Sequence, residues 1–534
     1  RVQAYGEQRT VHAWFSDLTL QFARNWHRDG VIALRGALFW RPASPEFPDL
    51  ASRRMHSSYP SGLLVPVYAA ALITFSEPAP GHVFFATVFC HFVLILCCAF
   101  IVFLFTLRAK GRPVDACGFA CVPVVLLCFL PAPFYYFDKC YFAYEAVLPL
   151  IALYMLLEML RESSLSETSR KWIRGVQYGV AFIGVFTEWL FLLFGAVIFL
   201  KRLFSCELGR HPMTFLKNAF LFWLPYGLAL LLFVIQVLTL GGFAYIQNRF
   251  LLRTGITGNI FLEFSKLNPF WERHIYPMFG AIGITALLVC AGLLILFGIV
   301  LIFFRIFGRS PEPCLRAALW IGLAAIIPCV LHVELLRQQS SFFLHGFEAL
   351  KFSIPLALLP LGLLPLALLR LFGLNWSQWT LHRIWLPSPV PLVAVILAVG
   401  YVYLMFPDIE KRYAGKLPPS DKTNIARASF LDENTNEQDV VFSSAVHLAQ
   451  TDAPFYAAYS MKLVYEAHSL YDVYEKVRPI ESPYTVCFFN PETKPEKDAA
   501  LAELIAQGET VGSFEAITLK RISKEELMAA YKKQ

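Results

Sequence analysis

Charged side chains are scarce in this chain: Asp, Glu, Lys and Arg make up 16% of its 534 residues, whereas hydrophobic residues make up 57%. A soluble protein could not bury that much apolar surface, so the composition predicts a polytopic membrane protein. The 46 Lys and Arg residues are spread between apolar segments and form no basic patch with interleaved aromatic residues. We therefore expect no nucleic-acid partner.

Several familiar signatures are also missing. The 12 cysteines lack the paired CxxC spacing of a zinc site, and most lie in or beside apolar segments, which favours burial in helices and indicates no disulfide framework. The sequence has no GxGxxG motif and no phosphate-binding loop. It begins at Arg1, and no apolar span precedes the polar N-terminal segment, so we expect the chain to be N-terminally incomplete.

Long apolar segments dominate the middle of the chain. Candidate membrane spans cover residues 83–107, 114–133, 141–160, 173–187, 188–203, 218–240, 281–304, 315–334, 352–372 and 390–406. With the shorter apolar segment 63–75, they predict about ten to eleven transmembrane helices. The loops rich in Lys and Arg all fall on one side if 63–75 lies in the interface, so the positive-inside rule favours that arrangement. Spans 173–187 and 188–203 are then short helices that turn at Glu188.

The composition divides the chain into four regions. We expect an extracytoplasmic first loop with juxtamembrane helices at 1–82, a transmembrane domain at 83–406, a polar linker at 407–439 and a periplasmic domain at 440–534. In the last region, apolar runs predict strands at 440–442, 485–489 and 516–519, and helices are predicted at 470–477 and 497–506. Ser523 and Glu526 have the spacing of a helix capping box. This alternation predicts a small, largely parallel α/β domain with a structural or acceptor-positioning role.

The candidate active-site loop is the polar segment 55–62, which contains His56 and Tyr59 and directly precedes the first apolar segment. Asp17 lies upstream among Trp14, Phe15 and Leu18, where an ionisable group is costly to desolvate. As a carboxylate, Asp17 could take the proton from an attacking hydroxyl or amine. A helix-surface or capping role for Asp17 is the alternative.

Other charged residues lie near the same membrane face. Asp138 and Glu145 could orient an acceptor, and Glu188 lies beside Trp189 at the predicted turn, where an interfacial anchor is the alternative. Arg249 and Arg253 are four residues apart, so on a helix they would share a face and could bind one anionic group. The remaining candidates for anion binding are Arg337, His345 and Lys351. Lone basic residues at helix ends also snorkel to lipid headgroups.

These motifs resemble the GT-C superfamily of polytopic glycosyltransferases. The resemblance rests on an acidic residue in the first loop, the Tyr59-Pro60-Ser61-Gly62 sequence before a short apolar helix, and the late segment FFLHGFEALKFSIP at 342–355. Bacterial relatives of aminoarabinose transferase and protein O-mannosyltransferases look most similar. The first loop departs from the pattern, because many members carry an Asp-Glu pair where this chain has only Asp17.

The resemblance implies a bacterial inner-membrane enzyme that transfers a sugar, with inversion, from a polyprenyl-phosphate donor to a lipid, glycan or protein acceptor outside the cytoplasm. Asp17 then looks like the catalytic base, Asp138 or Glu145 like the second acid, and His345 with nearby basic residues like contacts to the carrier phosphate. The acidic residues fit either metal-free catalysis or a bound Mg²⁺ or Mn²⁺. A non-catalytic assembly subunit and a lipid or solute transporter are the alternatives.

Overall fold

The structure of the protein is a computed structural model. It describes residues 13–139, 141–162, 166–240, 270–307, 312–336, 346–374, 388–413, 420–445, 461–491, 498–514 and 516–533, with a few single positions between 243 and 251. Helices form most of this part of the chain, and one five-stranded sheet lies near its C-terminus.

Residues 13–413 of the described chain form a bundle of helices. Its members are α1 (Ala13–Asp29), α2 (Val65–Ile73), α3 (Pro80–Arg108), α4 (Pro113–Phe129), α5 (Pro131–Lys139), α6 (Ala143–Glu162), α7 (Glu167–Val185), α8 (Leu190–Phe204), α9 (Pro212–Thr239), α10 (Tyr276–Ile306), α11 (Pro313–Leu335), α12 (Phe347–Leu371) and α13 (Pro389–Tyr413). Six of these are long and apolar enough to cross a membrane: α3, α6, α9, α10, α11 and α12. A seventh span is formed if α4 and α5, which are bent by 59° relative to each other, are taken together.

All ten predicted spans fall on helices, so the protein is a polytopic α-helical membrane protein. The expected ten to eleven crossings nevertheless exceed the six or seven that pass on length and composition within the described residues. The difference has a physical reason. Helix α8 has 15 residues and the apolar part of α13 ends at Met405, so both are shorter than the roughly 20 residues that a bilayer requires. Helix α7 has 19 residues, but its first turns are charged.

Proline sets the start of many of these helices. It occupies the first helical position at Pro80, Pro113, Pro131, Pro212 and Pro313. The first turn of a helix leaves its N–H groups without intrahelical acceptors, so a residue without an N–H costs nothing there. Pro131 also ends α4, because its ring cannot continue the hydrogen-bond ladder, and the chain bends at that point.

Helices α6 and α12 are central in the bundle, whereas α10 is peripheral. In their most apolar windows, 78% of α6 and 72% of α12 are buried, compared with 22% of α10. Helix α3 packs against α4 and α6, and α11 packs against α8. Exposed apolar side chains on α10, such as Leu288 and Ile295, face outward as expected for contact with lipid. Polar residues on α6 and α12 are therefore held in the interior.

The segment expected to lie in the interface is a short helix. A 3-10 turn at Ser61–Leu64 continues into α2, and together they span about 20 Å, less than the ~30 Å thickness of a hydrocarbon core. The far end of this segment exposes Leu72, Ile73 and Phe75. A helix of this length with an exposed apolar tip fits an interfacial position better than a crossing.

The C-terminal region is an α/β unit. It contains α14 (Ser420–Asn434), β1 (Asp439–Ser443), β2 (Val464–Glu466), α15 (Leu470–Val477), β3 (Thr485–Pro491), α16 (Ala499–Gln507), β4 (Glu509–Phe514), β5 (Ile517–Ser523) and α17 (Lys524–Lys532). The strand order is β2-β1-β3-β5-β4. Alternate residues of β1 and β3 face opposite sides, so Val440 and Val486 pack toward α15 and α17, and Val441 and Cys487 pack toward α14.

The sheet is mixed, whereas a largely parallel sheet was predicted. Strand β1 is parallel to β2 and β3, but β5 is antiparallel to β3 and β4. Strands β2 and β4 were missed because β2 has only three residues and β4 is mostly polar and exposed. Helix α14 lies in the stretch that was interpreted as a polar linker. Its side chain Asp432 accepts a hydrogen bond from Arg28 of α1 at 3.4 Å.

Candidate active site

Five polar side chains form a continuous buried chain between α6, α8, α11 and α12. Tyr144 donates its hydroxyl to Glu348 at 2.9 Å, and Lys351 donates to the same carboxylate at 2.5 Å. The Lys351 ammonium also lies 3.0 Å from Nδ1 of His332, whose Nε2 lies 3.1 Å from Glu188 Oε1. We call these residues the buried polar chain.

The members of the buried polar chain are almost completely shielded from solvent. The side chains of Glu188, Glu348 and Lys351 have no exposed surface, and that of His332 is 2% exposed. Charges in such a place are retained only when they are paired and hydrogen-bonded. A neutral imidazole with its proton on Nε2 satisfies both contacts of His332, because Nδ1 then accepts from Lys351 and Nε2 donates to Glu188. The Lys351 ammonium also lies 5.1 Å from the centre of the Tyr144 ring.

The turn between α7 and α8 joins this chain to the loop before α2. Gly62 donates its N–H to the carbonyl of Phe186 at 2.7 Å, and Trp189 donates its indole N–H to the carbonyl of Ser58 at 3.2 Å. Glu188 lies in this turn and also accepts from the backbone N–H of Leu190. A side chain at position 62 would have its Cβ 2.6 Å from the Phe186 oxygen, so the close approach requires glycine.

Helix α1 docks against the start of α6. Ser16 accepts a hydrogen bond from the N–H of Tyr141 at 3.0 Å, and Thr19 donates to the carbonyl of the same residue at 3.0 Å. The Phe15 ring lies 4.9 Å from that of Phe142 and 4.7 Å from that of Phe347. The turn of α1 that carries the proposed base is therefore fixed on both α6 and α12.

Asp17 lies within that turn of α1 and is 5% exposed. Glu145 lies at the start of α6, has no exposed surface, and accepts a hydrogen bond from the N–H of Phe142 at 2.9 Å. Because Phe142 also contacts Phe15, the two carboxylates belong to segments that touch each other. Phe347, which contacts Phe15, directly precedes Glu348, so the turn of α1 that contains Asp17 adjoins the segment that carries part of the buried polar chain.

His56 and Tyr59 line an aromatic wall of this region. The His56 ring lies 5.0 Å from Trp40, 5.4 Å from Phe22 and 6.2 Å from Tyr59. Tyr59 in turn meets Phe142 edge to face at 5.2 Å. Both residues are buried, and the rings of both contact Phe142, which also contacts α1.

Some of the candidate residues fall outside the described part of the structure. Arg249, Arg253, Arg337 and His345 are among them, and the side chain of Asp138, near the end of α5, is as well. The Lys351 ammonium, a candidate for anion binding, is buried and bound to Glu348 and His332. Glu188, for which an interfacial anchor was the alternative, is buried in the turn before α8.

Three members of the buried polar chain were not singled out from the sequence: Tyr144, His332 and Glu348. A signal was present for two of them. His332 interrupts the apolar run of α11, and Glu348 precedes Lys351 by three residues, a spacing at which two side chains meet on a helix. An ionisable residue within an apolar span is costly and therefore marks a paired or functional group.

The described residues contain no group of three or more His, Cys, Asp and Glu side chains arranged to hold a metal ion. Glu188 and Glu348 have His332 and Lys351 between them, so these carboxylates face cationic or hydrogen-bonding partners rather than each other.

Comparisons with known proteins gave structural matches only. No family model matches the sequence, and the search of curated proteins finds no match. Among solved structures, the chain resembles the oligosaccharyltransferase AglB of Archaeoglobus fulgidus in complex with an inhibitory peptide and a dolichol-phosphate, with 11% identity and a TM-score of 0.46. The match covers 89% of this chain, which spans 65% of the length of that protein.

Two further structures are similar. The apo form of the Archaeoglobus fulgidus oligosaccharyltransferase matches with 11% identity and a TM-score of 0.49, over 98% of this chain and 74% of that one. ArnT from Cupriavidus metallidurans bound to undecaprenyl phosphate matches with 11% identity and a TM-score of 0.45, over 96% of both chains.

Proposed function

We propose that this protein is a membrane glycosyltransferase that moves a sugar from a polyprenyl-phosphate-linked donor to an acceptor at the membrane face opposite the basic loops. The observation that carries the proposal is the gathering of Asp17, Glu145 and the buried polar chain at one end of the helix bundle. Burial of a carboxylate costs free energy. The need for a catalytic base beside a lipid-borne substrate is a functional reason to retain such a carboxylate.

In the proposed reaction, an acceptor hydroxyl or amine attacks the anomeric carbon of the donor sugar. The new bond to the acceptor forms as the bond from the anomeric carbon to the phosphate oxygen breaks, which inverts the configuration. Asp17 takes the acceptor's proton, and the polyprenyl phosphate leaves with the electron pair of the broken bond. Positive charge must stabilise that leaving phosphate, and we assign this role to Arg249, Arg253, Arg337 and His345.

The buried polar chain has a positioning role in this proposal. Lys351 and Glu348 hold the start of α12 against Tyr144 of α6, and His332 ties α11 to the turn that carries Glu188. Gly62 and Ser58 then dock the His56–Tyr59 loop on that same turn. The wall of the site is therefore formed by residues of four helices. Loss of any one of these contacts would shift the groups that face the substrate.

The proposed location follows from the same topology. Basic loops face the cytoplasm by the positive-inside rule, so the site and the C-terminal α/β region would lie on the periplasmic side of a bacterial inner membrane. A phosphate-bearing lipid would enter sideways from the bilayer, and its sugar would meet the acceptor at the water boundary.

A transfer assay tests the proposal. The purified full-length chain in nanodiscs would be incubated with a panel of undecaprenyl-phosphate sugars and a membrane extract as acceptor source, and release of undecaprenyl phosphate would be measured. We expect release with at least one donor and a loss of at least 100-fold in Asp17→Asn, because an amide cannot accept the proton. The control is Asp49→Asn, an exposed carboxylate in the same N-terminal segment that caps the N–H of Ser52.

Two outcomes would count against this assignment. Unchanged release in Asp17→Asn would remove Asp17 from the mechanism. No release from the unmodified protein with any donor would favour a non-catalytic membrane subunit, a role that the mutually paired Glu188–His332 and Glu348–Lys351 contacts also fit.

A further inference from the structure

A second charged site lies at the opposite end of the same helices. Glu145 and Glu158 are both on α6, and their separation of 13 positions corresponds to about 20 Å along the axis. Glu188 precedes α8, whereas Lys201 lies in its last turn. His332 is near the end of α11, whereas Arg316 is in its first turns. Three helices thus carry the buried polar chain at one end and a different set of charges at the other.

These charges surround a cavity of about 680 Å³. Its lining contains seven basic side chains (Arg108, Arg161, Arg170, Lys171, Arg174, Lys201 and Arg316) and four acidic ones (Glu158, Glu162, Glu167 and Glu207), which leaves a net formal charge of +3. Lysine and arginine from three predicted basic loops therefore converge on one place, and an excess of positive charge focused in a concave site attracts anions.

The inner wall of the cavity is fixed by Glu158. This carboxylate is 4% exposed and accepts from Lys201 at 2.7 Å, from Arg202 at 2.7 Å, from Arg161 at 2.9 Å and from Gln177 at 2.8 Å. The hydrogen bonds from these four donors to one carboxylate connect α6, α7 and α8. Most acidic side chains of the cavity therefore form ion pairs with Arg161, Lys201 or Arg202.

Four other basic side chains of the lining are exposed to solvent. Arg170, Lys171 and Arg174 lie on the first turns of α7, and Arg316 lies on α11 across the cavity; all four are exposed. Arg170 and Arg174 are four residues apart, so they share a face of α7. Lys171, Arg174 and Arg316 form no ion pair with another residue in the described part of the chain. The side chains of Lys171, Arg174 and Arg316 are therefore available to bind an anion at the opening of the cavity.

The rim of the cavity has the character of a membrane interface. Trp172, between Lys171 and Arg174 in the sequence, is 75% exposed, and Phe204 at the end of α8 is 62% exposed with its ring 6.2 Å from that of Trp320, which lines the cavity. Exposed aromatic rings beside clustered basic residues are typical of the headgroup level of a bilayer. Met155, Ile198 and Ile321 give the cavity an apolar wall below its charged mouth.

We propose that this cavity binds the phosphate of an anionic lipid headgroup from the leaflet opposite the candidate active site, with Arg170, Arg174 and Arg316 as the main contacts. Guanidinium groups form paired hydrogen bonds with phosphate oxygens, and the apolar wall accepts the glycerol and upper acyl segments of the lipid. The same phosphate chemistry would suit a soluble phosphoester, so the test separates the two sources.

The test is a titration of the purified full-length chain in detergent by native mass spectrometry. The probes are short-chain phosphatidylglycerol, short-chain phosphatidylcholine and inorganic phosphate. We expect phosphatidylglycerol to bind at least tenfold more tightly than phosphatidylcholine, and Arg170→Gln/Arg174→Gln to weaken only the phosphatidylglycerol binding by at least tenfold. Both residues are exposed, so the double variant is expected to fold.

The matched control is Lys217→Gln/Arg305→Gln, which removes two exposed cations from the same end of the bundle, on α9 and α10, outside the cavity. Its phosphatidylglycerol binding should equal that of the unmodified protein. Equal binding of the two lipids, or equal weakening by both double variants, would overturn the proposal. Binding of inorganic phosphate that depends on Arg170 and Arg174, without a preference for phosphatidylglycerol, would overturn the lipid source and assign the cavity to a soluble phosphoester.

Discussion

Nε2 of His332 lies 3.1 Å from Oε1 of Glu188, although 144 residues separate the two in the sequence. His332 is near the end of α11 and Glu188 is in the turn before α8, so this contact joins two helices inside the bundle. The same imidazole receives Lys351 on its other nitrogen, which makes it the middle member of the buried polar chain.

Replacement of His332 tests the energetic role of that contact. We expect His332→Leu to lower the free energy of unfolding by about 3 kcal/mol, because the buried Glu188 carboxylate would lose its hydrogen bond with the imidazole. His332→Gln should recover part of the loss, since its amide can donate to Glu188 and accept from Lys351. Thermal unfolding in detergent, followed by tryptophan fluorescence, gives the comparison. His211→Leu, an exposed histidine before α9, is the control, and an unchanged melting temperature in His332→Leu would contradict the prediction.

The Lys351–Glu348 pair is expected to behave as a coupled unit. Lys351→Met removes the ammonium that pairs with the buried Glu348 carboxylate, and it should cost about 3 to 5 kcal/mol. The double variant Lys351→Met/Glu348→Gln should recover more than half of that loss, because the uncompensated charge is then removed. Melting temperatures of the two single variants and the double variant form a double-mutant cycle. Additive losses would show that the pair is not coupled.

Position 62 should tolerate no side chain. A Cβ there would lie 2.6 Å from both the Phe186 oxygen and Thr187 Oγ1, so Gly62→Ala must push the loop away from the turn before α8. We expect faster proteolysis of the 55–62 loop and at least a tenfold loss of sugar transfer. Gly81→Ala is a matched control, because nothing lies within 4 Å of a Cβ at that position. Equal protease sensitivity of the two variants would mean that the loop does not depend on this contact.

The last helix gives a prediction about pH. Hydrogen bonds from the backbone N–H and the hydroxyl of Ser523 lower the pKa of Glu526 below its ordinary value, and Ser523 in turn accepts from the N–H of Glu526 at 3.2 Å. A carboxyl group with a lowered pKa in the folded state contributes stability above its unfolded pKa of about 4.3, and loses that contribution as the pH falls through the folded value. Local stability of α17 should therefore decrease on acidification below about pH 4.5.

Hydrogen exchange of the α17 amides in the full-length chain, corrected for intrinsic exchange rates, measures this effect. Glu526→Gln should reduce protection at pH 6 and bring it close to that of the unmodified chain at pH 3, where Glu526 is itself neutral. Ser523→Ala should cost about 1 kcal/mol at pH 6 through loss of the cap. Protection in Glu526→Gln that stays lower by the same factor at both pH values would rule out the carboxylate as the cause.

Much of the architecture follows from local sequence. Apolar runs located each candidate span in the described part of the chain, because a helix in lipid must satisfy its backbone internally and needs no distant partner for that. Proline at the first turn fixed several helix starts, and the Ser523–Glu526 spacing correctly indicated the cap of α17. Such features depend only on residues within one helical turn, so a local sequence pattern is enough to predict them. The mixed order of the sheet was not predictable in this way, because the short β2 and the polar β4 acquire their partners only in the folded chain.

The composition and the order of residues determined that this protein is polytopic, where its helices lie, and that an α/β region follows the helix bundle. The tertiary structure alone decided that Lys351 pairs with Glu348, that His332 reaches Glu188, and that basic residues from separate loops share one cavity. The reason is that the free energy of a buried charge depends on partners brought from distant helices, and no local pattern of residues records which partners those are.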